Sequence, residues 1–169
     1  MGVGFNTDGL VQMTIGFVRA AYLEDIPGFR RMKPKTARTV AGIEDHLRTL
    51  PGVKAVSVSS SGVLQGCNSR PVDAGIKPVL QNEEGSCYEP VSSDFFRMLE
   101  IPVLKGRGFT DWDSENSPPV AVISESVARR YFNGEDPVGK LISIGLWDFD
   151  DIERREVVGV VPDIRQSVV

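Results

Sequence analysis

No apolar run in this chain of 169 residues reaches the ~18 consecutive residues that a membrane-crossing helix needs. Leu10 to Val18 comes nearest, but it is short and interrupted by Gln12 and Thr14. It follows Asp8 rather than a basic residue, so it is no signal peptide either. The expectation is a chain that stays in water, whether or not it was cut from a membrane protein. Histidine is almost absent. The single His46 has no cysteine nearby for a zinc site, and with no Gly-x-Ser-x-Gly elbow a Ser-His-Asp triad has nothing to stand on. Positive charge is outnumbered, with 19 Lys and Arg against 23 Asp and Glu. A net charge of −4 opposes a nucleic-acid grip, which needs clustered Lys and Arg, and the one basic cluster (Arg30, Arg31, Lys33, Lys35, Arg38) reads as a solvated loop.

What is present is an ordinary folding composition, 41% hydrophobic and 25% charged. A chain this long buries about 70% of its extended surface and needs no metal or disulfide to fold. Val11 to Phe17 alternates apolar and polar residues, the period of a strand with one buried face. Thr36 to Leu50 carries Val40, Ile43, Leu47 and Leu50 at helical spacing, with Thr36 as N-cap and Pro51-Gly52 as the stop. Val53 to Ser60 returns to period two, which makes the first third a βαβ unit. Ser61 to Tyr88 is small, polar and broken by Gly and Pro. It reads as loops with at best two short strands, and as the boundary between two subdomains. Further on, Ser92 to Leu99 predicts a short capped helix, and Thr110 with Asp113 approximates a capping box. Pro119 to Ile123 predicts a strand, Ser124 caps a helix closed by Asn133-Gly134, and Gly139 to Gly145 and Arg155 to Val161 predict two more strands.

The stretch "GEDPVGKL", Gly134 to Leu141, is one residue short of a phosphate-binding loop. A working loop leads from a strand into a helix, whose N-terminal amides face the phosphate. Here the predicted order is helix, loop, strand. Glu135 and Asp136 add negative charge, Pro137 removes a donor, and Leu141 replaces the magnesium-holding hydroxyl. The stretch reads as a turn. The acidic run Asp148, Asp150, Asp151 and Glu153 fails as a calcium loop, since the sixth and twelfth positions from Asp148 are Glu153 and Gly159. A solvated hairpin tip fits it better. Cys67 and Cys87 flank the polar insert. They are incidental thiols in a reducing compartment, and in an oxidising one they are candidates for a loop-closing disulfide worth roughly 3 kcal/mol. Trp112 and Trp147 both stand in acidic, turn-rich surroundings, and each either caps a core edge or contacts a partner.

From Tyr88 to Arg165 the ordered motifs are Val91-Ser92, Phe95-Phe96, Ile101-Pro102, Gly106-Arg107 with Phe109, Val120 to Ile123 with Glu125, Tyr131-Phe132, Gly134 to Pro137, Gly139-Lys140 and Val158 to Val161. This stretch resembles the extracytoplasmic core domain of MacB-type ABC transporter permeases with FtsX-like membrane segments. The first third resembles the family more weakly, through "GFNTDGLVQMTIGF" and "LRTLPGVKAVSVSSSGVLQG". Glu100 stands where the family usually has glycine, Pro162 stands where a second glycine is common, and Val18 to Lys35 departs from the usual spacing. The resemblance implies an α+β fold: a porter-like βαβ half-unit, residues 1–62, followed by an inserted mixed α/β subdomain, residues 63–169. It implies that the second porter half and further membrane helices lie outside this chain. It also implies no catalytic residue, no cofactor and no metal here. The implied partners are an ATP-binding subunit or domain across the membrane, a periplasmic adaptor or substrate protein, and a second permease, with no nucleic acid. The extracytoplasmic address suits a Cys67–Cys87 disulfide. The competing readings are a stand-alone ligand-binding module, with the Cys67–Cys87 insert as its recognition loop, and an enzyme built on the Asp148 to Glu153 cluster.

Overall fold

The computed structural model describes residues 5–17, 23–26, 29–62, 66–75, 85–114, 116–144 and 153–164. Its spine is the nine-residue strand β9, Glu153–Val161. Four shorter strands join it in one sheet: β4 (Val72–Asp73), β6 (Lys105–Gly106), β7 (Val120–Ser124) and β8 (Leu141–Ile144). Strand β7 runs parallel to β9, with an irregularity between Ala121 and Val122, whereas β6 and β8 run antiparallel to it. Glu156 pairs with both β7 and β8, and Gly159–Val160 pairs with both β7 and β6. A strand residue has two hydrogen-bonding edges, so β8 and β6 succeed one another along one edge while β7 holds the other. Between them Gly139 and Lys140 continue the ladder, the Gly139 amide donating to the Val157 carbonyl and the Val157 amide to that of Lys140, each at 2.8 Å.

The valine-rich sequence of β9 follows from this position, because both of its faces are covered. Val157 and Val160 join Ala121, Ile123, Ile142 and Val72 in one core, closed by helix α3 (Glu125–Phe132) through Tyr131 and Phe132. Val161 joins the opposite core, formed with Phe95, Phe96, Leu99 and Ile101 around the one-turn helix α2 (Phe95–Met98). Two glycines let a neighbouring backbone approach β9: a Cβ on Gly159 would overlap the Arg107 carbonyl oxygen, and one on Gly106 would overlap that of Val158. Glu100, which follows α2, has φ 54°, a left-handed backbone that favours glycine.

Helix α3 begins and ends as expected. Ser124 accepts from the Val127 amide, and Asn133 (φ 49°) with Gly134 (φ 84°) turns the chain out of the helix. Among its described residues the polar insert holds three short strands, where at most two were expected: β3 (Asn68–Arg70), β4, and β5 (Ser86–Tyr88), with β3 and β5 antiparallel.

The first third departs from its expected form. Helix α1 spans Pro34–Arg48 and starts at Lys33, with Pro34 in its first turn, so Thr36 is a buried residue inside the helix and not its cap. Ahead of it lies a hairpin, β1 (Leu23–Ile26) with β2 (Phe29–Met32), where a loop was expected. Val11 to Phe17 forms no strand, and Val11 and Met13 are 82% and 62% exposed. Val53 to Ser60 forms none either, beyond one bridge from Ser59 to Val91. Alternation marks which face would be buried, but a strand also needs a neighbour to bond its backbone. Among the described residues no strand pairs with 11–17.

Candidate functional site

Gly134 to Leu141 connects α3 to β8, with no helix starting after it. The Lys140 ammonium is ion-paired to Glu135, and that pair holds the Glu135 carboxyl below the usual carboxylate range. The Glu135 amide donates to the Phe132 carbonyl and the Lys140 amide to that of Pro137. The ammonium and these amides are thus already engaged, and the Gly139 amide is held by β9.

The loop that follows β6 is densely hydrogen-bonded. Arg107 reaches six residues forward and grips the Asp113 carboxylate with both terminal nitrogens, at 2.7 and 2.9 Å. The Thr110 amide and hydroxyl also donate to Asp113, at 2.8 and 3.0 Å, and the Asp113 amide donates back to the Thr110 carbonyl. The capping-box half of this arrangement was visible in the sequence. The Arg107 fork was not, because it forms only once the chain has doubled back. The Arg107 bond draws the Asp113 carboxyl below its ordinary range; burial opposes the shift and the Thr110 donors reinforce it. In return the Arg107 guanidinium is raised. Ser93, just ahead of α2, donates to Asp111 at 2.8 Å and ties the loop to the second core. Trp112 stands at the apex, 88% exposed. A core-edge role is thereby removed for Trp112, while Trp147 lies outside the described residues, as does the Asp148 to Asp151 part of the acidic run.

Cys67 and Cys87 are joined by a disulfide across the β3–β5 pair, with Cα atoms 5.3 Å apart. Tyr88, next along β5, lies under the Arg155 guanidinium, whose carbon is 5.4 Å from the ring centre. A groove of about 620 Å³ runs between β5 and β7. A shallower hollow of about 520 Å³ lies behind the Arg107–Asp113 pair, floored by Val120 and Val158. Asp163 caps the start of α3: burial pushes its carboxyl up, but hydrogen bonds from Ser126 and Ser124 and the Arg129 guanidinium outweigh this and leave it lowered. His46 is exposed on α1. Among the described residues no group of His, Cys, Asp and Glu could hold a metal ion.

Comparison with known proteins gives this arrangement a family. Residues 4–168 match the profile of the MacB-like periplasmic core domain. The chain belongs to that family. Like other MacB-like periplasmic core domains it is the extracytoplasmic part of an ABC transporter permease, and no helix among its described residues is long and apolar enough to cross a membrane. Over 76 residues, 45% of the chain, it is 37% identical to the macrolide export ATP-binding/permease protein MacB of Haemophilus ducreyi, of which it covers 10%. Its fold is similar to the periplasmic region of MacB from Actinobacillus actinomycetemcomitans, with a TM-score of 0.53 at 21% identity over 75% of this chain and 52% of that one. It is also similar to the extracellular domain of the noncanonic ABC-type transporter YknZ from Gram-positive bacteria, with a TM-score of 0.51 at 23% identity over 70% and 55%. At such identities the likeness is one of fold. The chain thus spans a tenth of the curated relative and about half of each solved structure.

Proposed function

We propose that this MacB-like domain works mechanically: it carries motion from the permease's membrane helices to a substrate or a periplasmic adaptor protein during export, and breaks no bond itself. The supporting observation is the position of β9, hydrogen-bonded along both edges and covered by a core on each face. A strand held in this way moves as one body with the loops attached to it. ATP is hydrolysed by the ATP-binding subunit or domain of the same transporter, and two permeases pair in the working assembly. Residues 1–62 supply half of a porter-like unit, and 63–169 form the inserted subdomain. The Cys67–Cys87 bond staples the insert in the oxidising compartment, and two alkylatable thiols in the untreated protein would remove that role.

The test is the full-length transporter in membrane vesicles with this region replaced by a flexible linker. The name of the Haemophilus ducreyi relative makes a macrolide the first cargo to try. Loss of export with ATP hydrolysis retained is expected. Export that survives the replacement, or turnover of a small molecule by the isolated chain, overturns the reading.

A further inference from the structure

An exposed indole is an unusual thing to find on a loop fastened on both sides of it. Trp112 is 88% exposed, yet the residues on either side of it are fastened: Asp111 by the Ser93 hydroxyl, and Asp113 by the two-pronged Arg107 grip and the Thr110 donors. Most of the ordering entropy that a docking loop gives up on binding is therefore already lost in the free protein. Both chain neighbours of Trp112 are acidic. Arg107 neutralises Asp113, whereas Asp111 is in no ion pair among the described residues. Glu156, exposed on β9, bears electrostatically on the same arginine. An aromatic face beside carboxylates attracts a cation, through the ring quadrupole and through charge.

We propose that the 110–114 loop is a docking post, on which Trp112 and Asp111 together seat a Lys- or Arg-bearing segment of a separate protein partner. The proposal rests on the reading of this domain as an element that handles other proteins. A second copy is disfavoured as the occupant because the chain carries a net charge of −4 and repels itself.

The test is fluorescence anisotropy with short labelled peptides in which alanine alternates with arginine, glutamine or glutamate, titrated with this chain at low ionic strength, where surface charge is least screened. The arginine peptide is expected to bind saturably and the other two not to. Trp112→Ala weakens its binding about tenfold and Trp112→Leu as much, since leucine keeps apolar area but loses the ring, while Trp112→Tyr stays within about threefold of the parent. Asp111→Asn weakens it about threefold. Asp45→Asn, the same charge change on the exposed face of α1, leaves it unaltered. Equal binding of the arginine and glutamine peptides, or an arginine affinity indifferent to Trp112→Ala, overturns the docking post and leaves the vesicle result to decide the mechanical role by itself. Trp112-dependent self-association in sedimentation velocity, with the second copy's Arg30 to Arg38 run as occupant, overturns it too.

Discussion

Residues 11–17 and residues 157–161 are both short apolar-rich stretches, and they meet opposite ends. The first alternates cleanly, with Val11, Met13 and Ile15 facing one way, yet all three are exposed and no strand forms. The second is nearly continuous, buried throughout, and bonded on two edges. The difference lies in the neighbours. Strand β9 collects β7 from just upstream of α3, β8 from its own hairpin partner, and β6 from the loop before them. The N-terminal stretch finds nothing comparable within the described chain. Its upstream flank is nevertheless anchored: Phe5 and Leu10 pack on the second core, and the Asn6 amide donates to the Leu99 carbonyl at 3.0 Å.

The sharpest way to break this comparison is a pair of truncations. Phe132→Ala removes a side chain with no exposed surface from the core under α3 and is expected to cost 3–5 kcal/mol, roughly, in urea unfolding followed by circular dichroism. Met13→Ala removes a side chain that is 62% exposed and should stay within about 0.5 kcal/mol of the parent. Equal effects would mean that 11–17 is packed in solution.

Next in size is Gly159→Ala. The new methyl group would meet the Arg107 carbonyl, and neither backbone can retreat without breaking the ladder between Arg107 and Val158. A loss of about 3 kcal/mol is expected by the same measurement. A neutral result would show that the β6 edge is not closed against β9.

How much of this was legible depends on whether a signal is local. The limits of α3 could be read because its cap, Ser124, and its stop, Asn133-Gly134, lie within the helix's own neighbourhood. Gly134 to Leu141 could be rejected as a phosphate-binding loop because its place between a helix and a strand is a matter of order along the chain. The β1–β2 hairpin is hidden because the basic run from Arg30 reads as a solvated loop, though Pro27-Gly28 is a turn signal between short strands. The Arg107–Asp113 fork, the pairing of Ser59 with Val91 and the lack of a strand at 11–17 all depend on which distant segments meet. Periodicity carries no information about that.

Acid should probe the locked loop more gently. The Asp113 carboxyl is held below its unfolded value first by the Arg107 hydrogen bonds. A depressed carboxylate contributes stability above its unfolded pKa, near 3.9, and loses it as pH falls through the folded value. Arg107 is close to half exposed, so screening by solvent limits the contribution to about 1 kcal/mol. Asp113→Asn is therefore expected to cost about 1 kcal/mol at neutral pH and to flatten the fall in stability below about pH 4, measured by urea unfolding at several pH values. Asp163 and Glu135, also lowered, leave part of that fall in place. A variant whose acid limb matches the parent's would mean the fork is absent in solution.

The smallest effect has the opposite sign and separates the two regions most cleanly. Gly42 lies within α1, and a Cβ built there meets nothing within 4 Å. In a helix interior glycine costs about 1 kcal/mol relative to alanine, because the unfolded chain gives up more freedom and no side chain is gained. Gly42→Ala should therefore stabilise α1 by roughly 0.5–1 kcal/mol, whereas the same substitution at Gly159 destabilises the sheet. If α1 unfolds together with β9, the gain appears in the global transition. If it opens independently, the gain appears only as slower amide exchange along Pro34–Arg48, with the main urea midpoint unmoved. Either result measures how tightly the first third is coupled to the β9 sheet. A loss of stability would show that a neighbour closes over Gly42 in solution.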